Sequence, residues 1–287
     1  MEQRVVEVAG VRSPVQLGGP EGSEAVVFVH GNPGAGTDWE GLQTRVSEFA
    51  RTAAPTMPGY GEASKPRDFD YSAEGNARHI GGVIGELGIE RAHLVLHDFG
   101  ALWGLEWALQ EPGKVASVTL IGNGVFRGYT WHHWARMWRL RGIGTFLQYT
   151  TPRLFARIMT ARENPNLSRE QVDNLSRRIS PYGTRRAVLA TYRATPQERY
   201  DYRDGPAGQQ PLVPLFAELD LPALVLWPTE DIYVPYQPET QREAFPSARI
   251  EILEGLGHWA HWEAPDRVAG LVVPFLREQV AAASPAG

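Results

Sequence analysis

Hydrophobic positions along this chain fall into short unbroken runs, separated by turn-rich loops and by longer stretches with helical periodicity. Ala25–His30, Leu94–Leu96, Val115–Ile121 and Ala223–Trp227 are the runs, and the alternation of strand and helix resumes again at Ala248–Leu253. Apolar segments of this length bounded by Gly and Pro read as strands buried on both faces, the signature of a parallel sheet. Residues 3–18 alternate instead, which predicts a hairpin turning near Gly10, and Arg51–Ala54 is a further short strand. Helical patterns lie between the runs: about Trp39 to Ala50 behind Thr37 or Asp38, Ala73 to Leu87 behind Ser72, and a segment opening at Phe99. A last helix is expected from Pro265 to about Val280, followed by a frayed Ala-Ser-Pro-Ala-Gly tail. Strand and helix in alternation predict an α/β fold with a mostly parallel sheet and helices on both faces.

The alternation breaks off between about 124 and 209. There the strand signals thin out, Arg and Trp are frequent, and Pro152, Pro165, Pro181 and Pro196 punctuate helical patterns. This predicts a helical insertion, dividing the chain into a core over 1–124, a cap over 125–209 and the remaining core over 210–287. Within the insertion Trp131, Trp134 and Trp138, with Met137, recur every three to four residues as one apolar helical stripe. Such a stripe packs a lid onto its core and roofs a dry pocket. The arginines around it (Arg136, Arg139, Arg141, Arg153, Arg157) read as a solvated face.

Composition narrows the function classes. A formal net charge of −5 gives no reason to expect nucleic acid or an anionic membrane as a partner. The absence of Cys excludes disulfides, thiol catalysis and Cys-ligated zinc. No apolar signal segment opens the chain and no run of about 18 apolar residues occurs, so a cytoplasmic protein is expected. A homodimer is possible, but no repeat or heptad argues for one.

Three polar residues stand at the ends of predicted strands. Asp98, followed by Gly100, lies between the strand ending at His97 and the helix from Phe99. Asp231 lies on the loop after Ala223–Trp227, and His258 on the Gly-hinged loop after the last strand. Open α/β sheets keep their chemistry at the carboxyl ends of the strands. Asp98 could equally be a helix N-cap, which would leave a non-catalytic ligand-binding protein.

With these residues in place, the chain resembles the α/β-hydrolase superfamily over nearly its whole length. The matching pieces are His30-Gly31-Asn32-Pro33, Met57-Pro58-Gly59-Tyr60-Gly61, His97-Asp98-Phe99-Gly100, Asp231 and Gly257-His258-Trp259. Asp98 occupies the serine position of the nucleophile elbow, and the order nucleophile, acid, base is that of the superfamily. Asp at the elbow is similar to the epoxide hydrolase and haloalkane dehalogenase branch. The resemblance implies that Asp98 attacks an sp³ carbon to form an ester, and that water activated by His258, oriented by Asp231, hydrolyses it. The backbone N–H groups of Asn32 and Phe99 would form the oxyanion hole. His261, three residues on, is the rival base. No metal and no organic cofactor are implied.

The leaving group separates the two activities. Haloalkane dehalogenases supply N–H donors to the halide; Asn32 and Leu96 match their pattern, but Phe99 stands where they carry Trp and has no N–H. Epoxide hydrolases protonate the oxygen with two lid tyrosines or a His and a Tyr. Tyr192 resembles the late-lid tyrosine, and among Tyr129, His132, His133 and Tyr149 the partner expected is His133. The leading expectation is therefore hydrolysis of small, neutral, apolar epoxides to vicinal diols with water as co-substrate. Haloalkane dehalogenation is the alternative, and a serine-type esterase is disfavoured because the elbow has neither Ser nor Cys.

Overall fold

The computed structural model describes residues 1–205 and 208–283, which leaves most of the tail expected to fray outside the described residues. Eight strands form one sheet: β1 (Glu2–Val8), β2 (Val11–Gly18), β3 (Glu24–Val29), β4 (Thr52–Pro55), β5 (Arg91–His97), β6 (Val115–Ile121), β9 (Ala223–Pro228) and β10 (Arg249–Leu253). Their order across the sheet is β1-β2-β4-β3-β5-β6-β9-β10. The first two pairings, β1 with β2 and β2 with β4, are antiparallel and the rest parallel. The β1–β2 hairpin turns through Ala9 and Gly10, both at positive φ (49° and 79°), the backbone of a tight two-residue hairpin loop.

Every residue of β6 and β9 is buried, as expected for strands covered on both faces. The period-two alternation then divides the core. Val27 and Val29 of β3 and Leu94 and Leu96 of β5 join one cluster, with Ile80 of α2 (Ala73–Glu86) and Trp103 and Trp107 of α3 (Phe99–Gln110). Val26, Phe28 and Val95 face the other way. They meet Leu42 and Val46 of α1 (Glu40–Val46) and Val272 and Leu276 of α12 (Pro265–Ala283). The expected helix from Trp39 is shorter than its pattern: a 3₁₀ turn over Gly36–Trp39 leads into α1, which ends before Ser47. Ser72 caps α2 by accepting from the Gly75 N–H.

Between β6 and β9 run α4 (His133–Arg139), α5 (Ile143–Thr150), α6 (Arg153–Glu163), α7 (Arg169–Ile179), α8 (Tyr182–Ala194) and α9 (Leu212–Leu219). Before α9 lies a two-stranded hairpin, β7 (Tyr202–Gly205) and β8 (Gly208–Pro211), which the hydrophobic pattern does not predict. Its sequence, Tyr-Arg-Asp-Gly and Gly-Gln-Gln-Pro, carries no apolar alternation to read. A buried ion network fastens this region to the core. Glu106, in the middle of α3, meets both Arg199 and Arg203, and Arg199 also reaches Glu74 of α2 at 3.0 Å. The chain is completed by α10 (Pro238–Ala244) and α11 (Ala260–Glu263). Among the described residues no helix is long and apolar enough to cross a membrane.

Candidate active site

The sharpest backbone feature of the molecule is Asp98, the residue between β5 and α3, at φ 50° and ψ −128°. A non-glycine residue there carries about 1–3 kcal/mol of strain and persists only where its surroundings impose it. Two glycines let the surroundings close in. A Cβ on Gly31 would stand 2.4 Å from the Asp98 Cβ, and one on Gly100 2.3 Å from the Val29 carbonyl oxygen. Asn123, just past β6, donates from Nδ2 to the Asp98 carbonyl at 2.8 Å.

Asp98 sits at the N-cap of α3, yet its side chain makes no capping hydrogen bond. Its Oδ2 accepts from the Asn32 N–H at 2.7 Å, and the Phe99 N–H also bonds the carboxylate. Oδ1 lies 3.7 Å from His258 Nε2. Burial raises the pKa of this carboxyl, against the lowering effect of His258 and of the two backbone donors.

His258 donates from Nδ1 to Asp231 Oδ2 at 2.7 Å. Asp231 is held in turn: its Oδ1 accepts from the Tyr233 and Val234 N–H groups at 2.8 and 3.2 Å. His97 donates from Nε2 to the His258 carbonyl at 2.8 Å, fixing the loop behind the ring. Burial alone would pull His258 down, but Asp231 and then Asp98 outweigh it and lift its pKa to about 9. At neutral pH this favours the imidazolium form of His258. His261 stacks on Trp39 with ring centroids 4.7 Å apart, and burial holds its pKa at about 3. It does not reach the cavity, so the rival base is packing.

His30 ties the two Gly- and Pro-rich loops together. Its Nε2 accepts from the Met57 N–H at 2.9 Å, so Nδ1 carries the proton and donates to the Gly31 carbonyl at 2.7 Å. Burial keeps His30 neutral, with its pKa near 3. His30, His132 and His261 are all buried neutral, so the unfolded chain binds protons that the folded one refuses between pH 6.5 and about 3. Stability should consequently fall as pH drops below about 6.5. Thermal unfolding followed from pH 7 to pH 4 checks this, and a flat midpoint across that range would refute the assignment of these rings as neutral.

Asp98 and His258 open onto a cavity of about 160 Å³. Its walls are Trp131, Trp134, Trp138, Tyr129, Tyr192, Tyr200 and Tyr233, with Asn32, Phe99 and His132. A void of about 150 Å³ holds benzene, which sets the scale of molecule this one admits. Among the described residues no group of three or more His, Asp or Glu is placed to hold a metal ion.

Residues 26–271 match the model of the alpha/beta hydrolase family. The chain belongs to that family. Over 281 residues this hydrolase is 26% identical to a 2-hydroxy-6-oxononadienedioate/2-hydroxy-6-oxononatrienedioate hydrolase of Burkholderia vietnamiensis, covering 89% of this chain and 88% of that one. A haloalkane dehalogenase of Agrobacterium fabrum is 37% identical over 93 residues, 32% of this chain and 30% of the relative. Among solved structures, epoxide hydrolase A from Mycobacterium thermoresistibile superposes with a TM-score of 0.76. It is 21% identical and covers 96% of this chain and 98% of its own, a likeness of fold.

The helical segment between β6 and β9 departs from the sequence reading at three points. His133 does not line the cavity: it is 59% exposed and its Nε2 lies 3.4 Å from Glu163 Oε1. The neighbouring His132 faces inward instead, 3.3 Å from the Tyr192 hydroxyl. The cause is local, because His132 is the N-cap of α4 and its Nδ1 accepts from the Ala135 N–H at 3.4 Å. Nor do the three tryptophans form one helical stripe. Trp131 precedes the helix and stacks on Phe99 at 6.0 Å, whereas Trp134 and Trp138 stack on each other from within α4 at 6.2 Å. Tyr149 stays outside the cavity, stacked on Tyr182 at 4.8 Å.

Tyr200 and Tyr233 were not legible as site residues. Tyr233 packs its ring 5.0 Å from His258 and donates to Glu163 Oε2 at 3.1 Å; its position two residues after Asp231 was the available signal. With Nδ1 of His132 accepting, the proton of the neutral ring sits on Nε2 and is donated to the Tyr192 oxygen. That leaves the Tyr192 O–H free to donate elsewhere. Burial and the nearby Asp98 charge hold the phenol pKa well above its usual value.

Proposed function

We propose that this hydrolase opens small apolar epoxides to vicinal diols through an ester on Asp98, beneath a cap formed by residues 125–209. The observation that carries the reading is the neutral His132–Tyr192 pair lining the same cavity as Asp98, with one O–H left to give. Asp98 Oδ1 attacks an epoxide carbon, the C–O bond breaks, and the oxygen takes the Tyr192 proton. Alkylation cancels the Asp98 charge that helped hold His258 up, so the imidazole pKa falls. The proton it sheds restores the one Tyr192 gave. Neutral His258 then removes a proton from water attacking the ester carbonyl. The oxyanion develops on Oδ2, where the Asn32 and Phe99 N–H groups already point. Collapse expels the product alkoxide, which takes the proton of the newly added hydroxyl, returning the Asp98 carboxylate, the imidazolium of His258 and the diol.

A second reading, haloalkane dehalogenation, is favoured by one feature. Asn32 Nδ2 and Trp131 Nε1 are buried donors without a hydrogen-bond partner among the described residues, and both residues line the cavity. Trp131 would then supply the N–H that Phe99 lacks. Carbon–carbon cleavage of a dienedioate has less support. Carboxylate attack on its ketone gives an anhydride, and the cavity's arginine, Arg185, spends its Nη1 on the Gln148 and Tyr149 carbonyls.

Tyr192→Phe separates the readings. We expect epoxide turnover to fall by about 10²-fold or more, the usual worth of a positioned acid. Alkylation of Asp98 by a bromoalkane should change little, and His133→Ala should leave both within a few-fold. Equal loss with both reagents would count against an acid at the epoxide oxygen and point to a packing role for Tyr192.

A further inference from the structure

The net charge of −5 hides a local reversal. From Val125 to Arg162 the chain contains seven arginines and neither Asp nor Glu. The same stretch carries half of the large apolar side chains exposed in the described residues: Leu140, Ile143, Phe146, Leu154, Phe155 and Ile158, each 47–66% exposed. On α5, Ile143 and Phe146 recur at i and i+3; on α6, Leu154, Phe155 and Ile158 do so at i, i+1 and i+4. Two consecutive short helices thus present an apolar face bordered by cations.

Several of these arginines are engaged, such as Arg157 with Asp173 and Arg139 with the Tyr192 and Thr195 carbonyls. Arg141, Arg153 and Arg162 are exposed and have no side-chain partner among the described residues. Phe155 belongs to both surfaces: it is half exposed on the outer face and also lines the active-site cavity.

We propose that the α5–α6 face docks on an anionic lipid surface, with the apolar side chains entering the interface and the free arginines meeting lipid headgroups. Apolar residues on one side with arginines around them are what an interfacial helix needs. A two-fold dimer through the same face would set this excess of arginines against itself with no acid in the stretch to answer it. Because Phe155 joins the face to the cavity wall, a docked protein would draw apolar substrates from the bilayer, where they concentrate.

The full chain, mixed with vesicles of phosphatidylcholine containing 30% phosphatidylglycerol as the added probe (~30% models an anionic leaflet), should sediment with them at low salt. Pure phosphatidylcholine should retain it at least about tenfold less, and salt should release it. Phe146→Glu/Ile158→Glu and, separately, Arg141→Glu/Arg153→Glu should each lower binding about tenfold or more while keeping the wild-type unfolding midpoint. None of these four residues lines the cavity, so binding is read independently of turnover. Wild-type protein that ignores the anionic vesicles overturns the proposal. So do folded variants that bind as well as wild type, or a self-association that Phe146→Glu/Ile158→Glu abolishes without any vesicle binding.

Discussion

Mixed with a small aryl epoxide, the His258→Ala protein should gain the mass of the epoxide on the peptide carrying Asp98, and turnover should fall by about 10⁴-fold. The two half-reactions use different groups, which is why one survives. Attack needs only Oδ1 of Asp98 and a proton from Tyr192, whereas breaking the ester needs a base for water. In the proposed mechanism His258 is that base because of its surroundings. Asp231 holds its Nδ1 proton, and Nε2 lies 3.7 Å from the Asp98 carboxylate. Against the pull of burial, Asp231 and then Asp98 lift its pKa to about 9, and in that mechanism esterification of Asp98 removes the second of these charges and makes His258 a better base. Intact and peptide mass analysis reads the adduct. Full turnover without His258 would show that another group activates the water, and a label on another carboxylate would show that Asp98 is not the nucleophile.

The second large effect couples activity to stability in opposite directions. Asp98→Gly should abolish turnover and labelling, yet raise the unfolding midpoint by about 2–4 °C. Three terms decide the sign. Positive φ at Asp98 costs about 1–3 kcal/mol, which glycine does not incur. Glycine loses about 0.5–1 kcal/mol more backbone entropy on folding. The pKa of the Asp98 carboxyl is raised by burial, so above its unfolded pKa its charge works against the fold, and removing it helps. The Asn32 and Phe99 N–H groups it leaves behind line a cavity that water can enter. Scanning calorimetry at pH 7 measures the outcome. A destabilised Asp98→Gly protein would mean that the carboxylate's hydrogen bonds outweigh strain and burial together.

Several features were set by neighbours in sequence, and these the amino-acid sequence alone determined. The apolar runs became the buried strands because burial on both faces leaves no place for charged alternates, whereas Arg249–Leu253, with Arg249 and Glu251, is the partly exposed edge strand. The positions of Asp98, Asp231 and His258 at strand ends followed from those runs, since the carboxyl edge of a parallel sheet collects the loops that follow its strands. The family itself was legible in His30-Gly31-Asn32-Pro33 and His97-Asp98-Phe99-Gly100. Other features depend on what lies across space. Which of two adjacent histidines meets Tyr192 turns on a helix beginning at His133, so that His132 becomes the cap and points inward. A shift of one residue at a helix start rotates a side chain by about 100°, which periodicity alone does not resolve. Trp131 lies outside the helix for the same reason. The polar hairpin β7–β8 has no apolar alternation to announce it. Whether His258 rests protonated was decided only when Asp231, Asp98 and the burial around them were brought to one ring. Sequence order names such groups, but their charge states depend on distances that only the folded chain sets.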